Sequence, residues 1–207
     1  NLPYFFSKEV LKEANKISKK KVSSIKRKDL RNTLTFTIDP DDAKDFDDAL
    51  SFKKLKNNNI EIGIHIADVT YYLEKNTLLD KEAKKRATSV YLSDRVVPML
   101  PEVLSNDLCS LNPNEDKNVF SVLVEIDNHY NIISNEFSKC LINSNERMSY
   151  QEAQHVIENK NEKLPAEVTI NKKKRSLSKE LVEAILHLNS VALKLKEKRK
   201  NEGSVFF

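Results

Sequence analysis

With 207 residues, 39% of them hydrophobic and 32% charged, the chain has the composition of a folded globular protein and enough length for one substantial domain or two small ones. Its apolar runs fall far short of the ~20 residues a membrane helix needs, and no secretion leader opens it, so a membrane-embedded reading is excluded from the start. The net charge of +4 is mild but unevenly spread: basic runs lie at Lys19 to Lys21, Lys26 to Lys28, Lys172 to Arg175 and Lys194 to Lys200, while the densest acidic cluster follows Ile38. A basic body with one acidic pocket suits a polyanion held near metal ions.

In chain order, Ser7 to Ile17 reads as a short helix, with Val10, Leu11, Ala14 and Ile17 at helical spacing. After a basic, polar segment from Ser18 to Asn32 comes Leu34 to Ile38, whose β-branched and aromatic residues predict a strand. Ala49 to Lys53 is a second strand. Beyond the turn at Asn57 to Asn59, Ile60, Ile62, Ile64 and Ile66 alternate with other residues, which predicts a third strand paired with the second as a hairpin.

Leu78 to Ser89 reads as a helix, and a proline-bounded stretch, Pro98 to Pro101, separates it from Glu102 to Leu111, which has no clear pattern. Val119 to Ile126 and Ile132 to Ile142 are predicted partner strands across the Asp127-Asn128 turn. Ser149 stands three residues before Glu152, the spacing of a capping box, and the helix it starts runs to about Glu158. Ser178 to Lys200 reads as a long amphipathic helix with Leu181, Ile185, Leu188, Ala192 and Leu195 on one face. Hairpins interleaved with helices predict an α/β fold of the mixed α+β kind. The first residue is not a methionine and the last ones, Ser204 to Phe207, are mostly apolar, so both ends read as cut.

Cys109 and Cys140 lie too far apart for a CxxC motif and indicate neither a disulfide framework nor a zinc site; free thiols in a reducing cytoplasm is the expectation. The only glycines are Gly63 and Gly203, so neither GxGxxG nor GxxxxGK can be written and Gly-rich phosphate loops are excluded.

The informative stretch runs from Thr37 to Leu50 and packs six aspartates between positions 39 and 48, directly after one strand and directly before another. Two carboxylates ~4 Å apart repel by about 1 kcal/mol even in water. A loop pinned between strands cannot splay its charges freely, so a divalent cation is the simplest partner. The calcium-loop pattern fails, because counting from Asp39 puts Ala43 at position 5, Lys44 at 6 and Leu50 at 12. Magnesium, held by one or two carboxylates plus water and phosphate, suits the loop better, and a pair of ions ~4 Å apart would serve phosphodiester hydrolysis. An acidic surface loop that binds nothing is the bland alternative; Phe46, an apolar residue between aspartates, speaks against it.

The spacing of Asp39, Asp45, Asp47 and Asp48 resembles the first catalytic motif of the ribonuclease II/R (RNB) family. Two later stretches match in order: Gly63 to Val69, and Ala87 to Leu92 leading to Val97 to Pro113. The similarity extends from about Leu30 onward and is nearest to the bacterial ribonuclease R branch. It implies an RNB-type catalytic domain with a mostly antiparallel mixed sheet and flanking helices, of which residues 30–207 are the N-terminal half and residues 1–29 a preceding linker and helix. It further implies a hydrolytic, processive 3′-to-5′ exoribonuclease that acts on single-stranded RNA and releases nucleoside 5′-monophosphates. One or two magnesium ions, with manganese as the substitute, are the implied cofactor. No DNA or membrane partner is expected.

Residue by residue, the resemblance implies that Asp39 and Asp48 hold magnesium directly and that Asp47 is the critical carboxylate at the scissile phosphate. Asp45 supports the site from its edge, and Tyr91 stacks on the 3′-terminal nucleotide, a contact worth ~1–3 kcal/mol per base. Read without the family, Tyr91 is a packing residue, His65 a hydrogen-bonded core histidine and Asp68 a cap or turn residue. Asp107 stands where the family has a small residue, glycine, so a strained turn is expected there. The arginine, glutamate and second aromatic of the family's later half have no counterpart here. Robust activity is therefore not expected of these 207 residues alone, and a metal- or RNA-binding fragment without turnover is the alternative to an enzyme.

Overall fold

The structure, a computed structural model, describes residues 3–22, 24 and 26–204; Asn1 and the apolar end from Val205 to Phe207 lie outside the described residues. The elements are helix α1 (Lys8–Ile17), strands β1 (Lys28–Asp29), β2 (Thr35–Asp39), β3 (Asp48–Lys54) and β4 (Ile60–Ala67), helix α2 (Leu78–Arg86), strands β5 (Val90–Tyr91), β6 (Val96–Val97), β7 (Asp116–Ile126), β8 (Ile132–Asn143) and β9 (Glu146–Ser149), helix α3 (Tyr150–Asn159), strands β10 (Lys163–Leu164) and β11 (Arg175–Ser176), and helix α4 (Lys179–Asn201). A 3-10 turn at Val69–Tyr71 and a π-helical segment at Val103–Leu108 complete them.

Seven strands form one mixed sheet in the order β1-β8-β7-β4-β3-β2-β9. The neighbours β8-β7-β4-β3-β2 are antiparallel, as local hairpins dictate, while the two outer pairs, β1 with β8 and β2 with β9, are parallel. The hairpin of β3 and β4 pairs Leu50 with Ile64 and Phe52 with Ile62, which places the predicted isoleucine stripe on a single face.

One face is covered by α1, α2 and the π-helical segment, burying Ala49, Ala67, Val119, Leu123 and Cys140 against Ala14, Leu79, Ala83 and Leu104. The opposite face carries α3 and α4 over Phe36, Phe52, Met148, Val156, Leu181 and Ile185. Each large apolar side chain taken fully out of water contributes roughly 1.5–3 kcal/mol before entropy is counted, so these two layers hold the sheet between them. Coverage of the second face is partial: Ile64, Ile66, Phe120 and Phe137 remain 41–68% exposed beside the aspartate end of the sheet.

The predicted helices and long strands are present, and Ser149 caps its helix as expected, while Ser7, Thr77 and Ser178 cap the other three. Two details differ. Along α4 the buried line runs through Leu181, Ala184, Ile185 and Val191, and Ala192 is exposed, because the sheet it crosses meets one edge of the apolar stripe. The patternless stretch after Pro101 folds as the π-helical segment, in which Cys109 N–H donates to Leu104 O at 2.8 Å. Helix α1 packs its Val10 and Ala14 into the same apolar cluster as the sheet. Among the described residues no helix is long and apolar enough to cross a membrane.

Candidate metal and RNA site

Asp39 closes β2 and Asp48 opens β3, so the antiparallel pairing of these strands brings both ends of the acidic loop to one end of the sheet. The loop between them is held by its backbone. Ser110 Oγ accepts from Phe46 N–H at 3.0 Å and donates to Lys44 O at 3.0 Å, while Leu111 N–H donates to Phe46 O at 2.9 Å. Ala67 N–H, at the end of β4, donates to Asp47 O at 2.9 Å. From the other side Arg147 Nη2 donates toward Pro40 O at 3.2 Å, Asp41 O at 2.8 Å and Ala43 O at 3.2 Å. Phe46, the apolar residue among the aspartates, is 5% exposed and lies under the Arg147 guanidinium, 4.9 Å from its ring centroid.

With the backbone spoken for, the carboxylates line a cavity of about 310 Å³ bounded by Asp39, Pro40, Asp42, Ala43, Asp45, Asp47, Asp48, Tyr91 and Val96. Tyr91 reaches it from the short hairpin of β5 and β6, in which Leu92 N–H donates to Arg95 O at 2.8 Å. Its hydroxyl donates to Asp45 Oδ2 at 2.6 Å, and the residue is 62% exposed. That bond to Asp45, helped by partial burial, pushes the Tyr91 hydroxyl up to about 12, so it remains a donor at neutral pH. Thus every residue the sequence singled out for the site (Asp39, Asp45, Asp47, Asp48 and Tyr91) borders one cavity, with Tyr91 on a strand and not at a helix end.

The electrostatics leave a deficit of positive charge. Partial burial raises the Asp39 carboxyl above the usual carboxylate range, and the neighbouring Asp48 and Asp45 add to this while Thr37 and Arg147 oppose it. Asp47 is raised too, first by desolvation and then by Asp45, Asp48 and Asp39. Asp39 Oδ2 is buried and makes no hydrogen bond. An oxygen-only donor set of this kind fits a hard divalent cation. Among the described residues no group of three carboxylates is drawn tightly enough to form a ready-made metal cage. Asp39, Asp45, Asp47 and Asp48 are the residues that could hold such an ion, provided it keeps waters and takes further oxygens from a phosphate.

A larger cavity of about 650 Å³ lies at the other end of the sheet, lined by Lys28, Phe52, Lys54 and Glu183 among others. Two of its lysines are paired, Lys54 with Glu183 at 2.6 Å and Lys28 with Glu136 at 2.8 Å. It holds none of the motif residues.

The remaining singled-out residues are structural. His65 is fully buried, with Nδ1 2.8 Å from Ser121 Oγ. Asp68 precedes the 3-10 turn but makes no cap bond; it forms a buried ion pair with Arg27 and accepts from Thr70 Oγ1 at 2.6 Å. Burial opposes its ionisation, and the hydrogen bonds from Thr70 and Arg27 outweigh that and lower it. Asp107 does not form the expected strained turn: its φ is not positive, and its carbonyl accepts from Lys117 Nζ at 2.7 Å. The sequence reading did not anticipate Ser110 or Arg147. Ser110 lies inside a matched stretch but carries no spacing signal, and Arg147 reaches the loop only through the long-range pairing of β9 with β2.

The RNB domain model matches residues 27–207. Ribonuclease R 2 of Lactococcus lactis is 48% identical over 158 residues, covering 75% of this chain and 24% of that protein. DIS3-like exonuclease 2 of Xenopus tropicalis is 42% identical over 180 residues, covering 87% of this chain and 22% of that protein. Among solved structures, Mycoplasma genitalium RNase R in complex with ribose methylated single-stranded RNA superposes with a TM-score of 0.84 at 27% identity, over 99% of this chain and 30% of that one. The chain spans about a quarter of the length of the curated relatives it matches. Fold, motif order and identity agree, and the chain belongs to the RNB family, the family of these ribonuclease R and exonuclease proteins.

Proposed function

We propose that this chain carries the metal-binding part of the catalytic site of a processive 3′-to-5′ exoribonuclease, which hydrolyses single-stranded RNA to nucleoside 5′-monophosphates in the cytoplasm. The observation that carries this reading is the convergence of Asp39, Asp45, Asp47, Asp48 and Tyr91 on one cavity whose backbone is fixed from two sides. Asp39 and Asp48 are the residues that would hold magnesium, with Asp45 at the edge. When bound, magnesium supplies a more acidic water and stabilises the leaving oxygen. Asp47 orients the attacking water at the scissile phosphate. The exposed ring of Tyr91 stacks on the 3′-terminal base while its hydroxyl stays on Asp45, which ties the position of the last nucleotide to the acidic loop.

A second reading has its own support. Arg147 is turned toward backbone carbonyls of the loop and does not line the cavity, and the chain matches only 24% of its first relative. On this reading the isolated chain binds metal and RNA without turnover. Incubation with 5′-labelled single-stranded RNA and magnesium separates the two. The enzyme reading predicts stepwise shortening from the 3′ end and nucleoside 5′-monophosphates on a thin-layer plate. RNA retarded in a gel at unchanged length supports the second reading, and internal fragments or 3′-monophosphates would contradict both.

A further inference from the structure

Arg147 reaches the acidic loop from strand β9, and its hydrogen bonds go to the loop's main chain. One nitrogen, Nη2, faces the carbonyls of Pro40, Asp41 and Ala43 at 2.8–3.2 Å. Pro40 O also receives Ala43 N–H at 3.2 Å, whereas Asp41 O and Ala43 O have no other donor among the described residues. The guanidinium carbon lies over the Phe46 ring, 4.9 Å from its centroid, and the arginine's own backbone is fixed by the pairing of Arg147 with Thr37 in β2 and by Arg175 Nη2, which donates to Arg147 O at 3.3 Å. A line of support therefore runs from the sheet edge, through one guanidinium, to the part of the loop between Asp39 and Asp45.

We propose that Arg147 is a positioning residue for the divalent-cation site: it sets the path of residues 40–43 so that Asp39 and the aspartates from 45 to 48 face one cavity. The inference rests on the reading of that cavity as a cation site. Geometry favours arginine specifically. A lysine ammonium could reach the same carbonyls with its three N–H groups, but on its flexible stem it has no planar cation to lie over Phe46, whose ring centroid is 4.9 Å from the guanidinium carbon.

The role has an unusual sign, which makes it testable. Arg147 is a positive charge near the place where a cation would bind. If it acted only as a charge, its removal would strengthen cation binding. If it positions the loop, its removal weakens binding despite the more negative field.

The test is Mn2+ binding to this chain, by electron paramagnetic resonance of the free ion, for the wild type, Arg147→Lys, Arg147→Gln and Asp47→Asn, with thermal melting of each. The expectation is at least tenfold weaker binding in both Arg147 variants, with the lysine form keeping a cooperative melt. Unchanged affinity in Arg147→Lys, or tighter binding in Arg147→Gln, overturns the positioning role. If the wild type binds no Mn2+, or Asp47→Asn binds as the wild type does, the cation reading itself has failed. That result is distinct from wild-type binding lost in Asp47→Asn but kept in Arg147→Lys, which overturns the Arg147 inference alone.

Discussion

Gly63 and His65 occupy alternate positions on the same face of β4, and the imidazole fills the space that a side chain at 63 would need. A Cβ there would lie 2.2 Å from Ser51 Oγ and 2.5 Å from His65 Nε2. Gly63→Ala is expected to cost about 1–3 kcal/mol, since the ring is held by Ser121 and cannot swing away freely; a urea midpoint equal to that of the wild type would refute this. The same burial pushes the His65 imidazole down to about 4. The unfolded chain takes up a proton near pH 6.5 that the folded chain refuses until about 4, so this contribution is complete above ~6.5 and is lost as the pH falls. Acidification from pH 7 to 5 should remove about 2 kcal/mol through this group. Asp39 and Asp47, whose carboxyls are raised, act with the opposite sign but are common to both proteins in a comparison of wild type with His65→Gln. Urea titrations at the two pH values should show a smaller acid loss in the variant; equal losses would place the pH dependence elsewhere.

Helix α3 shows how an element can carry part of the site without touching it. Ser149 Oγ accepts from Glu152 N–H at 3.2 Å, and Glu152 Oε2 accepts from Ser149 N–H at 2.9 Å. Glu152 is 1% exposed and is also met by Arg175 at 3.0 Å. Ser149→Ala should lose about 0.5–2 kcal/mol, measured by thermal melting, and a loss below the experimental error would mean that the cap is not needed here. This cap was legible because its signal is local, a serine three residues ahead of a glutamate. The isoleucine alternation of β4 and the aspartate spacing were legible for the same reason. Strand β9 was not. Its few polar residues look like a turn, and its partner β2 lies more than a hundred residues earlier, with Phe36 opposite Glu146. Because Arg147 sits on that strand, the support of the acidic loop was hidden along with it. Tyr91 was assigned a role through resemblance, but the hairpin that aims it at Asp45 pairs only two residues per strand, too few for a periodic signal.

At the scale of the molecule, the two faces of the sheet are unequal. Helices α1 and α2 close one face, and α3 and α4 close part of the other, leaving Ile64, Ile66, Phe120 and Phe137 in contact with solvent near the acidic cavity. The buried Arg27–Asp68 pair and the contacts of Arg86 with Phe5 O at 2.9 Å and Pro98 O at 3.1 Å fasten the N-terminal segment to the closed face. The result is a platform that holds an uncompensated group of carboxylates at the end of β2 and β3 and presents Tyr91 beside them. Whether this group serves metal-dependent removal of nucleotides from RNA is decided by digestion of 3′-labelled single-stranded RNA, comparing the full-length enzyme that carries this chain with its Asp47→Asn form, with and without magnesium. Label is expected to be released by the unmutated enzyme alone and only when magnesium is present. Equal release by both proteins, or release indifferent to the metal, would contradict it.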